Sequence, residues 1–363
     1  MIAKDPITLI REKLKKLNLD AVLLNTSEIT RSVNLRYLSG FSGSDATILM
    51  TPNQLRLFTD GRYKTQAREE SGQFRIHITG DKIRSLGKVI RSQGIRRLGI
   101  EGSRISFDFV DALKKAIKNV DVISFGRKGL EDTRIIKGAT EIEKISLAAR
   151  LASSACRELL ESDVSGKTEK ELAGRLKFLF EQKGASGESF ETIVASGIRS
   201  ALPHGRPTDK RIELGDLVVI DYGCLVSGYS SDETVTCVVG PPTSDQIKIH
   251  QVVYEAHNKA IEFVKPGVGT DEVDRVARQT ISEAGYGKYF MHSLGHGIGL
   301  EVHEAPYLSP RSKTPLEAGM VFTVEPGIYI EGSGGVRLES LIHLTPSGPE
   351  ILSNASKGLI LVT

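Results

Sequence analysis

The sequence predicts an α+β protein of two units, a smaller mixed α/β unit followed by a larger α+β one. Three observations carry this. At 363 residues the chain is long enough for two domains of roughly 100 to 200 residues, each with its own core. Short apolar runs alternate with helix-period stripes in the first third, whereas helices followed by strand pairs, twice over, fill the remainder. Charge also changes sign along the chain. Residues 1–128 hold 24 Lys and Arg against 13 Asp and Glu, net +11, and the remainder holds 24 against 32, net −8. Opposite signs favour docking of the units, within one chain or across a homodimer.

In the first unit, residues 1–128, Ile7 to Leu17 is amphipathic and Asp20 to Leu24 reads as a strand. Ala46 to Met50 and Leu55 to Phe58 form a hairpin across Thr51-Pro52-Asn53, and Phe107 to Ile117 is again helical. The basic stretch Lys82 to Arg97 carries Ile83, Leu86, Val89 and Ile90 as an amphipathic stripe. With no nucleic-acid motif in it, a helix is the better reading than a nucleic-acid surface. A polar segment, 129–140, links this unit to the second, 141–363, which opens on a helical run from Glu141 to Leu160. Helical stripes follow at Lys167–Gln182, Asp245–Val264 and Thr270–Ala284. Strand-like runs lie at Leu217–Tyr222, Thr234–Val239, Met320–Val324, Ile328–Ile330 and Gly335–Leu344.

Composition narrows the function. A 39% hydrophobic, 26% charged chain with net charge +3 is neither disordered nor a wholly basic nucleic-acid binder. Cys156, Cys224 and Cys237 are odd in number and far apart, so they read as buried thiols of a reducing compartment. With no signal-peptide core and no apolar stretch near 18 residues, the expectation is a cytoplasmic protein without a membrane span.

The chemistry concentrates late. Seven of eight histidines follow residue 200, and three crowd into His292-Ser-Leu-Gly-His296-Gly-Ile-Gly-Leu-Glu-Val-His303-Glu304. Glycines 295, 297 and 299 argue against a helix here and for backbone brought close to a bound ion or substrate. The zinc-protease pattern HExxH fails, because Ala305, Pro306 and Tyr307 follow His303-Glu304. Asp221 ends one apolar run and Asp232 begins the next; a hairpin pivoting near Val226 and Ser227 sets them opposite one another, roughly 4.5 to 5.5 Å apart. Glu325 and Glu339 form a second pair on runs joined by Glu331-Gly-Ser-Gly334. Carboxylates so close repel unless a cation or shared proton lies between them. Four carboxylates with an imidazole suit two divalent ions, roughly 3.5 to 4 Å apart, that acidify a shared water: a dinuclear hydrolase site. His250 and His257, seven apart on one helix, read as packing residues, and His77 and His343 lie in strand-like runs without acidic partners.

These residues carry a resemblance. Ser200-Ala-Leu-Pro-His204-Gly, Val219-Ile-Asp221-Tyr-Gly, Ser231-Asp232-x-Thr234, His292-x-x-Gly-His296-Gly-Ile-Gly, His303-Glu304-x-Pro306, Val324-Glu325-Pro-Gly-Ile and Gly335-Val-Arg-Leu-Glu339 resemble the proline-specific metallopeptidases of the pita-bread fold. That group includes Xaa-Pro aminopeptidases (aminopeptidase P) and Xaa-Pro dipeptidases (prolidases). Arg36-Tyr-Leu-Ser-Gly-Phe-Ser-Gly-Ser44 and Phe58-Thr-Asp-Gly-Arg-Tyr63 are similar to the creatinase-like N-terminal domain of the same enzymes. The resemblance implies a pita-bread catalytic domain and two divalent ions, Mn(II) first, with Co(II), Fe(II) or Zn(II) as alternatives. Asp221, Asp232, His296, Glu325 and Glu339 would be the ligands, with Asp232 and Glu339 bridging. His204 and His303 would polarise the scissile carbonyl, Glu325 would act as general base, His292 would line the pocket and Arg337 would steady a ligand carboxylate. The implied substrate is a peptide with proline second. The Gly-Phe-Ser-Gly-Ser and Thr-Asp-Gly-Arg-Tyr runs lean toward the aminopeptidase. The dipeptidase stays open, as does a binding module on the same fold that has lost catalysis.

One departure stands out. Where the family usually has Asp-x-Thr-Arg-Thr, this chain has Asp232-Glu-Thr-Val-Thr236, so a common arginine is replaced by Val235 and Glu233 adds an acid. With every ligand position filled, this reads as tuning stability or substrate range.

Overall fold

The computed structural model describes residues 5–125 and 128–363, which divide into two compact units after Arg134. The first is built on one six-stranded sheet in the order 75–78, 55–59, 46–50, 21–26, 97–100, 121–124. The central strand Ala21–Thr26 is buried on both faces, which is why it reads as an unbroken apolar run and not as an alternation. Its Val22 and Leu24 pack on one side with Ile7, Ile10 and Leu14 of helix Pro6–Lys16. Ala21 and Leu23 pack on the other with Leu86 and Ile90 of helix Lys82–Ser92 and with Leu113. The basic stretch is therefore an amphipathic helix, started by Asp81, whose side chain accepts from the Arg84 amide.

Residues 128–134 pack with the first unit, where Leu130 joins its core, and Ile136 and Lys137 bond to Met320 and Gly319 of the second. The polar segment is thus divided between the units, and it ends where helix Ala139–Leu160 begins, two residues before the sequence places it.

The second unit has two helix pairs, each backed by a sheet. Helices Ala139–Leu160 and Glu169–Gln182 cover a four-stranded sheet ordered 360–362, 233–239, 217–222, 193–196. Helices Ser244–Phe263 and Thr270–Glu283 cover a five-stranded sheet ordered 304–308, 295–297, 321–324, 340–345, 348–351. Among the described residues no helix is long and apolar enough to cross a membrane.

One strand-like run is two strands. Gly334–Arg337 pairs with Gly327–Ile330 in a separate ribbon, and Ser340–Thr345 pairs with Val321–Val324 in the five-stranded sheet. Both pairings keep one register, Val324↔Ser340 and Gly327↔Arg337, so this is a single long hairpin interrupted in the middle. At the interruption Pro326 has no N–H to give, the Glu325 amide bonds to Leu294 O and the Glu339 amide to Thr234 O. The break therefore ties both glutamates to neighbouring strands.

Candidate active site

The interrupted hairpin sets Glu325 and Glu339 at its gap, while Asp221 and Asp232 come from the four-stranded sheet. The aspartates are not directly opposite, as the sequence suggested, because the turn lies one position later. Ser227 and Gly228, with φ of 51° and 83°, make the two-residue turn, flanked by Val226↔Tyr229. Two consecutive left-handed residues suit Ser-Gly and exclude the β-branched Val226. Asp221 accordingly faces Thr234, and Asp232 lies diagonal to it with the same parity, hence on the same face. His296 sits on the short strand Gly295–Gly297, whose register shifts at a bulge before Gly297. Its flanking glycines allow close strand packing, since a Cβ at Gly295 would overlap the Thr323 carbonyl and one at Gly297 the Ala305 carbonyl, and Gly295 also lines the cavity above the cluster.

Asp232, His296 and Glu339, all buried, offer ligand atoms within 4.8 Å of one another. His296 Nε2 lies 3.6 Å from Asp232 Oδ2 and 3.4 Å from Glu325 Oε1. These separations are loose for hydrogen bonds and short enough for a cation to be shared. Its Nδ1 points at Gly297 O, 3.1 Å away, which accounts for the Nδ1 proton and leaves Nε2 as the lone-pair side. Burial, with His303 close by, pushes the His296 imidazole down to about 3, so it is neutral. The carboxyls shift the other way. Burial, then Glu339, Asp221 and Glu325, push Asp232 well above the carboxylate range; burial and Glu339 do the same to Glu325; burial and Asp221 push Glu339 up to about 8. Arg337 is the cation that pulls all three back down. Asp221 Oδ1 and Glu339 Oε1 are buried without hydrogen-bond partners. Four crowded oxygen donors, two of their oxygens orphaned, and one neutral imidazole fit hard divalent cations.

A cavity of about 480 Å³ opens over this cluster, lined also by His204, His292, His303 and Arg337. The His303 ring is 4.1 Å from that of His296, centroid to centroid. His204 is carried by the loop between Pro203 and Pro207, and Glu169, buried within the unit, holds that loop's end through the Thr208 amide and hydroxyl. Arg337 is buried and donates to Asp221 Oδ2 at 2.5 Å, Thr234 Oγ1 at 3.1 Å, Pro203 O at 3.0 Å and Tyr329 OH at 2.9 Å. Tyr329 OH in turn lies 3.0 Å from His292 Nε2, and His292 Nδ1 lies 2.8 Å from Ser293 O. With the guanidinium able only to donate, the protons run in one direction, Arg337 to Tyr329 to His292 to Ser293 O, which holds His292 neutral; burial lowers it to about 4.

Sequence reasoning missed Tyr329 and Thr234. Period-two alternation on the 327–337 hairpin puts Tyr329 on the face of Arg337, which was the available signal. Thr234, opposite Asp221, also donates to Glu339 Oε2 at 2.7 Å. The departing residues are both accommodated. Val235 is fully buried in the core, and Glu233 pairs with Lys357 at 2.7 Å while accepting from Tyr222 OH, Ser153 Oγ and the Ala355 amide. His250 and His257 are buried on helix Ser244–Phe263, and His77 stacks on Phe58. His343, expected to lack an acidic partner, has one: the hairpin register sets it against Glu350, 3.1 Å away.

Residues 143–346 match the model of metallopeptidase family M24, and residues 6–136 that of the creatinase/prolidase N-terminal domain. The chain is 42% identical to a Xaa-Pro dipeptidase of Pyrococcus horikoshii, over 99% of each chain. Among solved structures it is similar to a Xaa-Pro dipeptidase from Bacillus anthracis (39% identity, TM-score 0.94, 99% of this chain and 100% of that one). An X-Pro aminopeptidase from Thermotoga maritima is similar too (39% identity, TM-score 0.91, 97% and 100%).

Proposed function

This chain belongs to metallopeptidase family M24, and we propose that it is a Xaa-Pro dipeptidase, hydrolysing the bond between an N-terminal residue and a C-terminal proline. The observation that carries the reading is the convergence of four carboxylates and a neutral imidazole beneath a cavity lined by three further histidines. The lean toward an aminopeptidase gives way to the dipeptidase names of relatives that match along nearly the whole chain. The Thermotoga maritima relative keeps the aminopeptidase as the second reading.

In this proposal Asp221, Asp232, His296, Glu325 and Glu339 would hold two divalent ions, Mn(II) by the family resemblance, with Co(II), Fe(II) or Zn(II) as alternatives; the hard oxygen donors fit such cations. When bound, the ions supply Lewis acidity toward the scissile carbonyl and acidify a water. His204 and His303 donate hydrogen bonds to the oxygen that becomes negative as the carbonyl carbon turns tetrahedral. Glu325 takes the proton that the attacking water loses and passes it to the prolyl nitrogen as the C–N bond breaks. That nitrogen belongs to a tertiary amide and carries no proton of its own, so the leaving proline depends on this delivery. His292, fixed in one tautomer by Tyr329, walls the proline side, and Arg337 holds Asp221 in place. A homodimer would let the oppositely charged units of two chains meet.

The test is to load the protein with Mn(II) and compare Ala-Pro with Ala-Pro-Ala. Cleavage of the dipeptide in preference is expected. Preference for the tripeptide would move the reading to the aminopeptidase, and no release from either would remove the peptidase reading.

A further inference from the structure

A dipeptidase differs from an aminopeptidase in what it does with the carboxylate that ends the substrate, and the cavity has two arginines to meet it. Arg337 is buried and engaged through all three of its nitrogens, so turning to substrate would strand Asp221. Arg206 is placed differently. Its side chain is 81% exposed and its Nε lies 3.2 Å from Glu191 Oε2, a 62% exposed partner that also lines the cavity. An exposed pair of this kind is weak and exchanges readily. The main chain beneath it is held firmly. Arg206 O accepts from Arg199 Nη2 at 2.7 Å, and Arg199 Nε in turn meets the buried Glu169 at 3.1 Å. Arg206 therefore has a fixed root two residues from His204 and a head that can swing.

We propose that Arg206 captures the free carboxylate of the C-terminal proline, with Glu191 holding the guanidinium at the rim until a dipeptide arrives. The proposal rests on the dipeptidase reading and names the residue that decides it. A guanidinium matches a carboxylate with two parallel hydrogen bonds, and both Glu191 and the substrate offer that group, so binding exchanges one carboxylate for another. A C-terminal amide brings no charge to the exchange, and a longer peptide carries its carboxylate at least one residue beyond the proline, so with either Arg206 stays with Glu191.

The experiment measures kcat/KM of the Mn(II)-loaded protein on Ala-Pro and on Ala-Pro-amide, for the natural chain, Arg206→Gln, Arg206→Lys and Glu191→Gln. The natural chain should prefer the free acid. In Arg206→Gln the preference should fall by roughly 10- to 100-fold, mainly through KM, as expected for one lost charged hydrogen-bond pair. Arg206→Lys should keep part of the preference, and Glu191→Gln should raise it by removing the competitor. An equal loss on both substrates in Arg206→Gln, or no loss, would overturn the assignment. A natural chain that cleaves both substrates alike would instead refute the dipeptidase reading itself.

Discussion

Replacing Lys357 by Met tests whether the departure at Glu233 is a stability feature. Lys357 Nζ lies 2.7 Å from Glu233 Oε1, and the two side chains are 10% and 1% exposed. Removing one partner of such a buried pair costs about 3–5 kcal/mol, because the other charge stays in a low-dielectric site. Glu233 would keep three donors, Tyr222 OH, Ser153 Oγ and the Ala355 amide, so we expect the lower end, about 3 kcal/mol. In a unit of this size 1 kcal/mol moves Tm by about 2–4 °C, which makes the shift about 6–12 °C. Adding Glu233→Gln removes the stranded charge and should recover about 2 kcal/mol, a coupling a double-mutant cycle resolves. Calorimetry of the metal-free single and double variants is the assay, with turnover retained in the metal-loaded forms. A Lys357→Met Tm within about 2 °C of the parent, or strictly additive variants, would show that the pair is not what holds the C-terminal segment to the strand of Asp232.

Four further outcomes are expected. His204→Ala should keep its metal, measured by elemental analysis, and lose on the order of 10² to 10³ in kcat, as for a lost oxyanion donor. Asp232→Ala should reduce metal content, and two tightly held ions per chain in that variant would show that Asp232 is not a shared ligand. Arg278 bonds the main chain at Phe290 O and His292 O and pairs with Asp274, which accepts the Leu294 amide. Arg278→Met should therefore loosen the loop of His292 and lower kcat/KM by roughly 10², with helix content by circular dichroism preserved. His257 is buried and lowered by burial to about 4, below the roughly 6.5 of an unfolded histidine. The unfolded chain thus takes up this proton first, and stability present above pH 6.5 is lost as pH falls toward 4, by about 3 kcal/mol; urea titrations of His257→Gln should show a shallower acid limb.

The sequence by itself marked most of the helices and the candidate donors. Apolar periodicity marks helices such as Ser244–Phe263 within a residue or two of their ends, because period and capping are local properties. Placement at the ends of apolar runs brought out Asp221, Asp232, Glu325 and Glu339, because acids there have little other reason to be present, and the family resemblance added His296 to them. Tertiary structure decided what those residues touch. The turn at Ser227-Gly228 set Thr234, not Asp232, against Asp221, since the conformation of two residues fixes the register of a whole hairpin. The split of residues 335–344 at Glu339 arises from amides that bond to strands far away in sequence, which no local pattern contains. The same holds for Lys357 against Glu233 and for the line from Arg337 through Tyr329 to His292. Each joins side chains whose proximity depends on how sheets and loops pack, and a buried polar group is satisfied only once that packing has chosen its partner.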